Sequence, residues 1–518
     1  MQQLPNLEQK RPVLILALFA LALLPLFATP ILPFIDYYNH IARYYVLAHP
    51  DATPAFAASY TPRWAILPNI GLDVIAAAAM RILPPAIVPH LIIITLFATL
   101  YSGVLALNRA LTSRTSLLVA MFTIPLLYSF ILNWGFANFL LGLGTMFWAL
   151  AWWLNTRQNL KKALPFACLL AALIFFIHGL AFALYGLILG ALELGLFLNQ
   201  PDRRPLKFLK TLPPLAIQAL LPVALFLAAP TSQSPEGLTN ADEAIARLKA
   251  AGQLGTRLID LAAYRLTTII RVAEGPSLGF DILSGAAIVL IVILMVNRGL
   301  IRLHRPLWPA IFMAAVLVLF CPPTMFGVGY VADRMPLLLA LLFIAGITAR
   351  PAEDRFETTL ITAATALIAL RLAAIALSFA PYAQDEADFN RVASTLPPSQ
   401  LVETLWPNQG RLDPGRRCQM FPPRLITNHH QITRLFANAT QQPLQITGPL
   451  AAALNKATGR DYTSREHPDY HQNILKNALP AGFNALLICD PSRLTAPLPN
   501  TLKIAAASGR FMLLVPNK

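Results

Sequence analysis

Long apolar runs separated by short polar links recur at about 13–32, 86–107, 115–133, 137–155, 163–178, 180–198, 212–229, 279–297, 307–321, 335–349 and 357–379. A helix needs roughly 20 apolar residues to cross a bilayer, so these runs predict about eleven transmembrane helices. A different pattern separates the first two. Over 34–47, Asp36, Asn39, His40, Arg43 and Leu47 fall at helical spacing on one face, while Tyr38, Ile41 and Tyr45 form a second, apolar face. This predicts an amphipathic helix suited to the membrane–water boundary, where Tyr rings settle. Residues 65–83 are also apolar, yet they hold Pro68, Asn69, Asp73 and Arg81 and end at Pro84-Pro85.

The basic residues decide whether 65–83 is a span. With the N-terminus inside and this stretch excluded, the inner links carry Lys10/Arg11, Arg109/Arg114, Arg157/Lys161/Lys162, Arg203/Arg204/Lys207/Lys210, Arg298/Arg302/Arg305 and Arg350/Arg355. Counting it as a span would move every one of those clusters outside, against the positive-inside rule. It is therefore expected to be an interfacial or re-entrant helix within a long outer loop, 33–86. The same topology places a second loop, 230–278, outside. Its helical stretch carries Asp242, Glu243, Arg247, Lys249, Arg257, Asp260, Tyr264, Arg265 and Arg271. Leu254, Leu258, Leu261, Leu266 and Ile269 are its apolar positions, which suits a helix lying on the outer surface.

The tail also ends up outside. Its runs 484–489 and 510–515 read as strands between Pro, Gly and Asn turns. The chain is thus read as mainly α. A polytopic helical transmembrane domain covers 1–380, with outer loops 33–86 and 230–278, and a small α/β extramembrane domain covers 381–518.

Composition agrees: of 518 residues, 56% are hydrophobic and 13% charged, which excludes an ordinary soluble globular class. The net charge of +15 would suit a nucleic-acid partner, but most basic residues sit in links between spans, so none is expected. Cys168 and Cys321 lie in apolar runs as small core residues. Cys418 and Cys489 lie in the polar tail and can pair if it faces an oxidising compartment. The first run follows Lys10-Arg11 as a signal peptide would, but it is long, ends in Pro30 and lacks a small-residue exit, so it is expected to be a retained anchor.

Ionisable groups at membrane depth are costly and usually face a cavity, a partner or a substrate. In this topology the outer side gathers Asp36, Asn39, His40 and Arg43, then Arg63-Trp64, His90, His178, and Tyr330, Asp333 and Arg334 of the 322–334 loop. An acid, imidazoles and arginines on one face are what a lipid-phosphate site needs. Each has a plainer reading. Asp36 can be an N-cap behind Pro33, Asp333-Arg334 a local ion pair, and His178 a turn residue bonded to a neighbouring carbonyl. Arg371, within the last run, either snorkels or meets a lipid phosphate. Glu193 is expected to reach water, and Trp134–Asn138 to pack a span end. In the tail, His429-His430, His467, Asp469 and His471 lack ligand spacing, so no metal site is expected; a divalent metal remains conceivable without a motif to hold it.

An inward N-terminus, a long first outer loop opening with Asp on an interfacial helix, a second amphipathic stretch, about ten further spans and an outer C-terminal domain resemble the GT-C superfamily. The stretch Phe34-Ile-Asp36-Tyr-Tyr-Asn39-His40-Ile-Ala-Arg43 is similar to the first-loop signature of its bacterial members. The resemblance covers about 1–380. It implies a membrane glycosyltransferase that moves a sugar from a polyprenyl-phosphate donor to a lipid or glycan acceptor at the outer face of a bacterial inner membrane. The family's first-loop Asp, which acts on the acceptor hydroxyl, matches Asp36. Arg334, Arg43, Arg63 and His178 are candidates by placement for the lipid phosphate, with Asn39, His40, Tyr330 and Asp333 beside them. Many members carry an acidic pair in a later outer loop; here only Asp242-Glu243 or Asp333 come near it, which leaves metal dependence open. Two other classes compete: a non-catalytic envelope-glycan assembly subunit, and a lipid or glycan transporter, although no internal repeat of the kind transporters show is found.

Overall fold

The computed structural model describes residues 4–233, 254–325, 329–406, 417–432, 435–437, 440–458, 470–494 and 497–517. Asp242, Glu243, Arg247, Lys249, His467 and Asp469 lie outside the described residues, as do the side chains of Arg257 and His471.

The chain is mainly helical, and all eleven predicted runs fall on helices. Among the described residues, seven helices are long and apolar enough to cross a membrane: Val88–Thr112, Ala137–Thr156, Leu160–Ile177, Gly179–Leu198, Pro205–Ala228, Leu278–Asn297 and Arg355–Ala393. The other four runs give the shorter apolar helices Arg11–Phe27, Leu117–Asn133, Arg305–Phe320 and Met335–Ala345. Some of the shortening has a local cause. In the third run the helix stops at Leu127, two residues past Pro125, and restarts at Phe130, where Ser129 Oγ accepts from Leu132 N at 3.3 Å. The Met335 helix ends at Gly346, after which Ile347–Ala349 pairs antiparallel with Ile301–Leu303. Buried Asn108 fastens that end, donating to the carbonyls of Ala345 (3.0 Å) and Ile347 (2.8 Å). Glu193 does not reach water as expected. It is buried, accepting from Trp153 Nε1 at 2.6 Å and from Arg157 Nη2 at 2.5 Å.

The chain forms two compact units. The first comprises residues 1–26, 66–71 and 93–378, and holds most of the apolar helices. The second comprises 27–65, 72–92 and 379–518. The second unit thus combines the tail with much of the 33–86 stretch.

In this second unit a four-stranded sheet runs in the order Val402–Leu405, Ala485–Cys489, Phe511–Pro516, Leu502–Ser508. The first pair is parallel and the others antiparallel. Ala485–Cys489 is buried at every position, as an unbroken apolar run in a central strand should be. Both strands predicted from the tail are present. The loop joins through Tyr60–Pro62, paired antiparallel with Leu444–Ile446. Gly448, at φ 56°, lies so close to Ala58 that a Cβ there would come within 2.2 Å of its carbonyl oxygen. Cys418 and Cys489 form a disulfide.

The stretch at 65–83 yields a helix at Gly71–Ile82. Its 12 residues are too few to cross a bilayer, and Val74, Ile75 and Ile82 are exposed along it.

Candidate functional site

Within the second unit, the expected amphipathic helix forms at Tyr37–Ala48. Ten of its twelve residues are buried, so it is enclosed by protein far more than an interfacial helix would be. Asp36 sits at the N-cap position, but its side chain makes no capping hydrogen bond; Oδ1 accepts from Asn39 Nδ2 at 3.3 Å. Asp36, Asn39 and His40 are half-buried, one turn of polar groups left accessible on a buried helix.

Arg43 is turned to a partner absent from the sequence-derived candidates. Its Nε donates to Asp73 Oδ1 at 2.5 Å and its Nη2 to Oδ2 at 3.2 Å, in the two-pronged geometry that suits a carboxylate. Burial pushes the Asp73 carboxyl above its usual range, with the Arg43 charge pulling the other way. Arg43 Nη2 also lies 3.0 Å from His40 Nδ1. A guanidinium only donates, so His40 Nδ1 is the acceptor and Nε2 carries the proton. The ring of His40 lies 4.7 Å from that of Phe436. Arg63 is exposed and uses its backbone N–H on Pro443 O at 2.8 Å. His90 stacks on Phe27 with ring centroids 6.4 Å apart.

Within the first unit, a second cluster forms around Arg334. This arginine is 2% exposed, and its guanidinium lies over the rings of Phe136 (4.7 Å) and Phe139 (5.3 Å). Its Nε and Nη1 meet no hydrogen-bond partner among the described residues. The plainer reading of Asp333-Arg334 as a local ion pair does not hold: Asp333 Oδ2 accepts from Tyr264 OH at 2.5 Å. His178 is buried at the junction of two helices, its ring edge-on to Phe139 at 5.3 Å. It does not bond a nearby carbonyl through Nδ1, which is unpartnered among the described residues. The turn is held instead by Asn69, whose Oδ1 accepts from Gly179 N at 2.9 Å while its carbonyl accepts from Asn138 Nδ2 at 2.8 Å.

A cation not counted among the sequence candidates joins this cluster. Arg265 is buried and donates through Nη2 to Cys321 O at 2.5 Å, leaving Nε and Nη1 unpartnered among the described residues. Arg265 and Arg334 both lie near Cys321, and Arg334 near His178. An unpartnered charge in an apolar setting is expensive, and the cluster holds two guanidiniums of this kind. Beside it stands an aromatic group. Tyr330, at φ 58°, lies 4.3 Å from Trp134 and about 6 Å from Phe130 and Phe136. A bulky residue in the left-handed region is strained, and such strain gathers at functional sites.

Arg371 is neither snorkelling nor free. Buried, it pairs with Asp281 at 3.2 Å and donates to Ala273 O at 2.7 Å, fastening the turn ahead of the Leu278–Asn297 helix. In the tail, Cys418, Cys489 and Asp490 lie close enough to suggest metal ligands, but the two sulfurs are bonded to each other.

No family model and no curated protein matches the chain. Among solved structures it is similar to ArnT from Cupriavidus metallidurans. The apo structure aligns at a TM-score of 0.49 and 13% identity over 98% of both chains. The structure bound to undecaprenyl phosphate aligns at 0.48 and 12% over 97% of both.

Proposed function

We propose that this protein is a multi-pass glycosyltransferase that moves a sugar from a polyprenyl-phosphate donor to a lipid or glycan acceptor. The observation that carries the proposal is the pair of buried arginines, Arg334 and Arg265, with N–H groups unpartnered among the described residues, and His178 Nδ1, likewise unpartnered, in the same cluster. A lipid-borne phosphate satisfies all of these at once and keeps its hydrocarbon tail among apolar side chains. Arginine suits the task because its planar fork matches phosphate oxygens and its charge persists in an apolar setting.

In this reaction the acceptor hydroxyl loses its proton to a base as its oxygen attacks the anomeric carbon. The bond to the phosphate oxygen breaks, and the electron pair leaves with the phosphate. The arginines stabilise the charge that collects there. We assign the base to Asp36 from the first-loop pattern. A carboxylate that is half-buried, and held by a side-chain amide rather than by the helix backbone, is a reasonable proton acceptor. Asn39 and His40 would orient the acceptor. No step is assigned to a metal.

The reading carries a location with it: a bacterial inner membrane, the N-terminus cytoplasmic and the tail periplasmic. The Cys418–Cys489 disulfide supports that placement, since such bonds persist in oxidising compartments.

The test is turnover by lipid-reconstituted protein with a panel of radiolabelled polyprenyl-phosphate sugars, scoring release of polyprenyl phosphate. Turnover of one donor that disappears in Asp36→Asn at normal abundance establishes the transferase and its sugar class. Turnover retained in Asp36→Asn removes the base assignment. Absence of both binding and turnover across the panel favours an assembly subunit or a transporter.

A further inference from the structure

Two basic links far apart in sequence meet at one helix end in the first unit. The Gly179–Leu198 helix ends against both. Phe197 packs on Phe208 of the Pro205–Leu209 helix at 5.3 Å, and Gly195 approaches Pro306 so closely that a Cβ would overlap its carbonyl oxygen. The first link brings Arg203, Arg204, Lys207 and Lys210; the second brings Arg302 and Arg305. Asp202 takes up Arg204 (3.3 Å) and Lys207 (2.7 Å). Arg203, Lys210, Arg302 and Arg305 have no carboxylate partner among the described residues. Sharing the same segments are large exposed apolar side chains: Leu206 (64% exposed), Leu209 (54%), Trp308 (52%) and Phe312 (69%).

Each feature has an ordinary explanation by itself. Basic links set topology, and exposed leucines on a membrane protein face lipid. Their combination is more specific. Four cations without carboxylate partners among the described residues share these two segments with exposed Leu and Trp, on a scaffold held close by a glycine. Trp settles at the headgroup level, so the cations beside it are set at the depth of the phosphates. We infer that this rim is a binding surface for anionic phospholipid headgroups of the adjacent leaflet. The inference rests on the membrane reading of the chain and is independent of any transferase activity.

The test compares full-length protein in nanodiscs of phosphatidylcholine with and without phosphatidylglycerol. The readout is the phospholipid class retained after partial delipidation, measured by mass spectrometry. The native chain is expected to retain phosphatidylglycerol preferentially. Arg203→Gln/Lys210→Gln/Arg302→Gln/Arg305→Gln is expected to lose that preference, by about fivefold for each charge removed. Replacing the three arginines by lysine should keep it, because point charge is what the surface supplies. Arg109→Gln/Arg114→Gln, which removes two cations from another link, should leave it unchanged. Equal loss in that control, or full preference in the fourfold glutamine variant, would overturn the inference. A cysteine-accessibility check of each variant's orientation separates lost lipid binding from altered topology.

Discussion

Arg43 and Asp73 stand 30 residues apart in the first loop, and their side chains, each 2% exposed, meet through two hydrogen bonds of 2.5 and 3.2 Å. The pair joins the Tyr37–Ala48 helix to the Gly71–Ile82 helix. It also sets His40, since Arg43 reaches that ring.

Breaking one side leaves a buried charge without its counterpart, which typically costs about 3–5 kcal/mol. Arg43→Met is therefore expected to lower thermal stability strongly. Arg43→Met with Asp73→Leu, which removes both charges, should recover much of the loss. Thermal melts of the purified variants decide it. If the double variant is as unstable as the sum of the two singles, the loss lies in packing rather than in the charge left behind.

The phosphate assignment makes a different demand. Losing a hydrogen bond to a charged group costs about 1.5–3 kcal/mol, roughly ten- to 150-fold in affinity. Arg334→Met and Arg265→Met should each weaken retention of a polyprenyl phosphate by that order, with Arg334→Lys intermediate because it keeps the charge and loses the fork. Tyr264→Phe frees Asp333 from its hydroxyl partner and should also weaken retention, by allowing the carboxylate to approach Arg334. Binding of radiolabelled polyprenyl phosphate to the detergent-solubilised chain measures all four. Unchanged retention in both methionine variants would remove the anion site.

These two relationships show what the sequence disclosed and what it hid. The apolar runs, the helix behind Asp36 and the tail strands 484–489 and 510–515 follow local periodicity and were legible, while the short helix within 65–83 was read from where the basic residues fall. Asp73 was visible only as a reason to doubt a span, because nothing local tells that its partner is Arg43 on another helix. Arg265 looked like one of many charges on an outer helix. Its significance depends on where the carbonyl of Cys321 lies and on having two nitrogens without a partner among the described residues. Tyr60–Pro62 is too short to declare itself a strand, and only its pairing with Leu444–Ile446 makes it one. Periodicity reports which face is buried; it does not report the long-range partner that completes a pair.

The Cys418–Cys489 disulfide closes a loop with a sequence separation of 71, joining a buried position near the 422–428 turn to the end of the central strand. A crosslink of that span removes conformational freedom from the unfolded chain, typically worth about 2–4 kcal/mol. Cys418→Ala/Cys489→Ala should therefore lower the stability of the second unit. Limited proteolysis should cut sooner within 379–518 than within the apolar helices of the first unit. Unchanged protection would mean that the sheet holds without the bridge.

His430 gives the second unit a pH dependence whose sign can be worked out. Its ring is buried, and Nδ1 accepts from Gln400 N at 3.3 Å. Burial, with the neighbouring His429 adding to it, holds its pKa below the ordinary value of 6.5. Above 6.5 the ring is neutral in both the folded and the unfolded chain, and titration contributes nothing to the difference. As pH falls below 6.5, the unfolded chain takes up a proton that the folded ring refuses. Stability is then lost by up to about 1.4 kcal/mol per pH unit until the folded value is passed. His430→Asn, which keeps an acceptor for Gln400 and cannot titrate, should remove that component. The measurement is the unfolding midpoint of native and variant protein between about pH 7.5 and 5.5. The native curve should fall away from the variant's on the acid side, and parallel curves would show that the proton is taken up elsewhere.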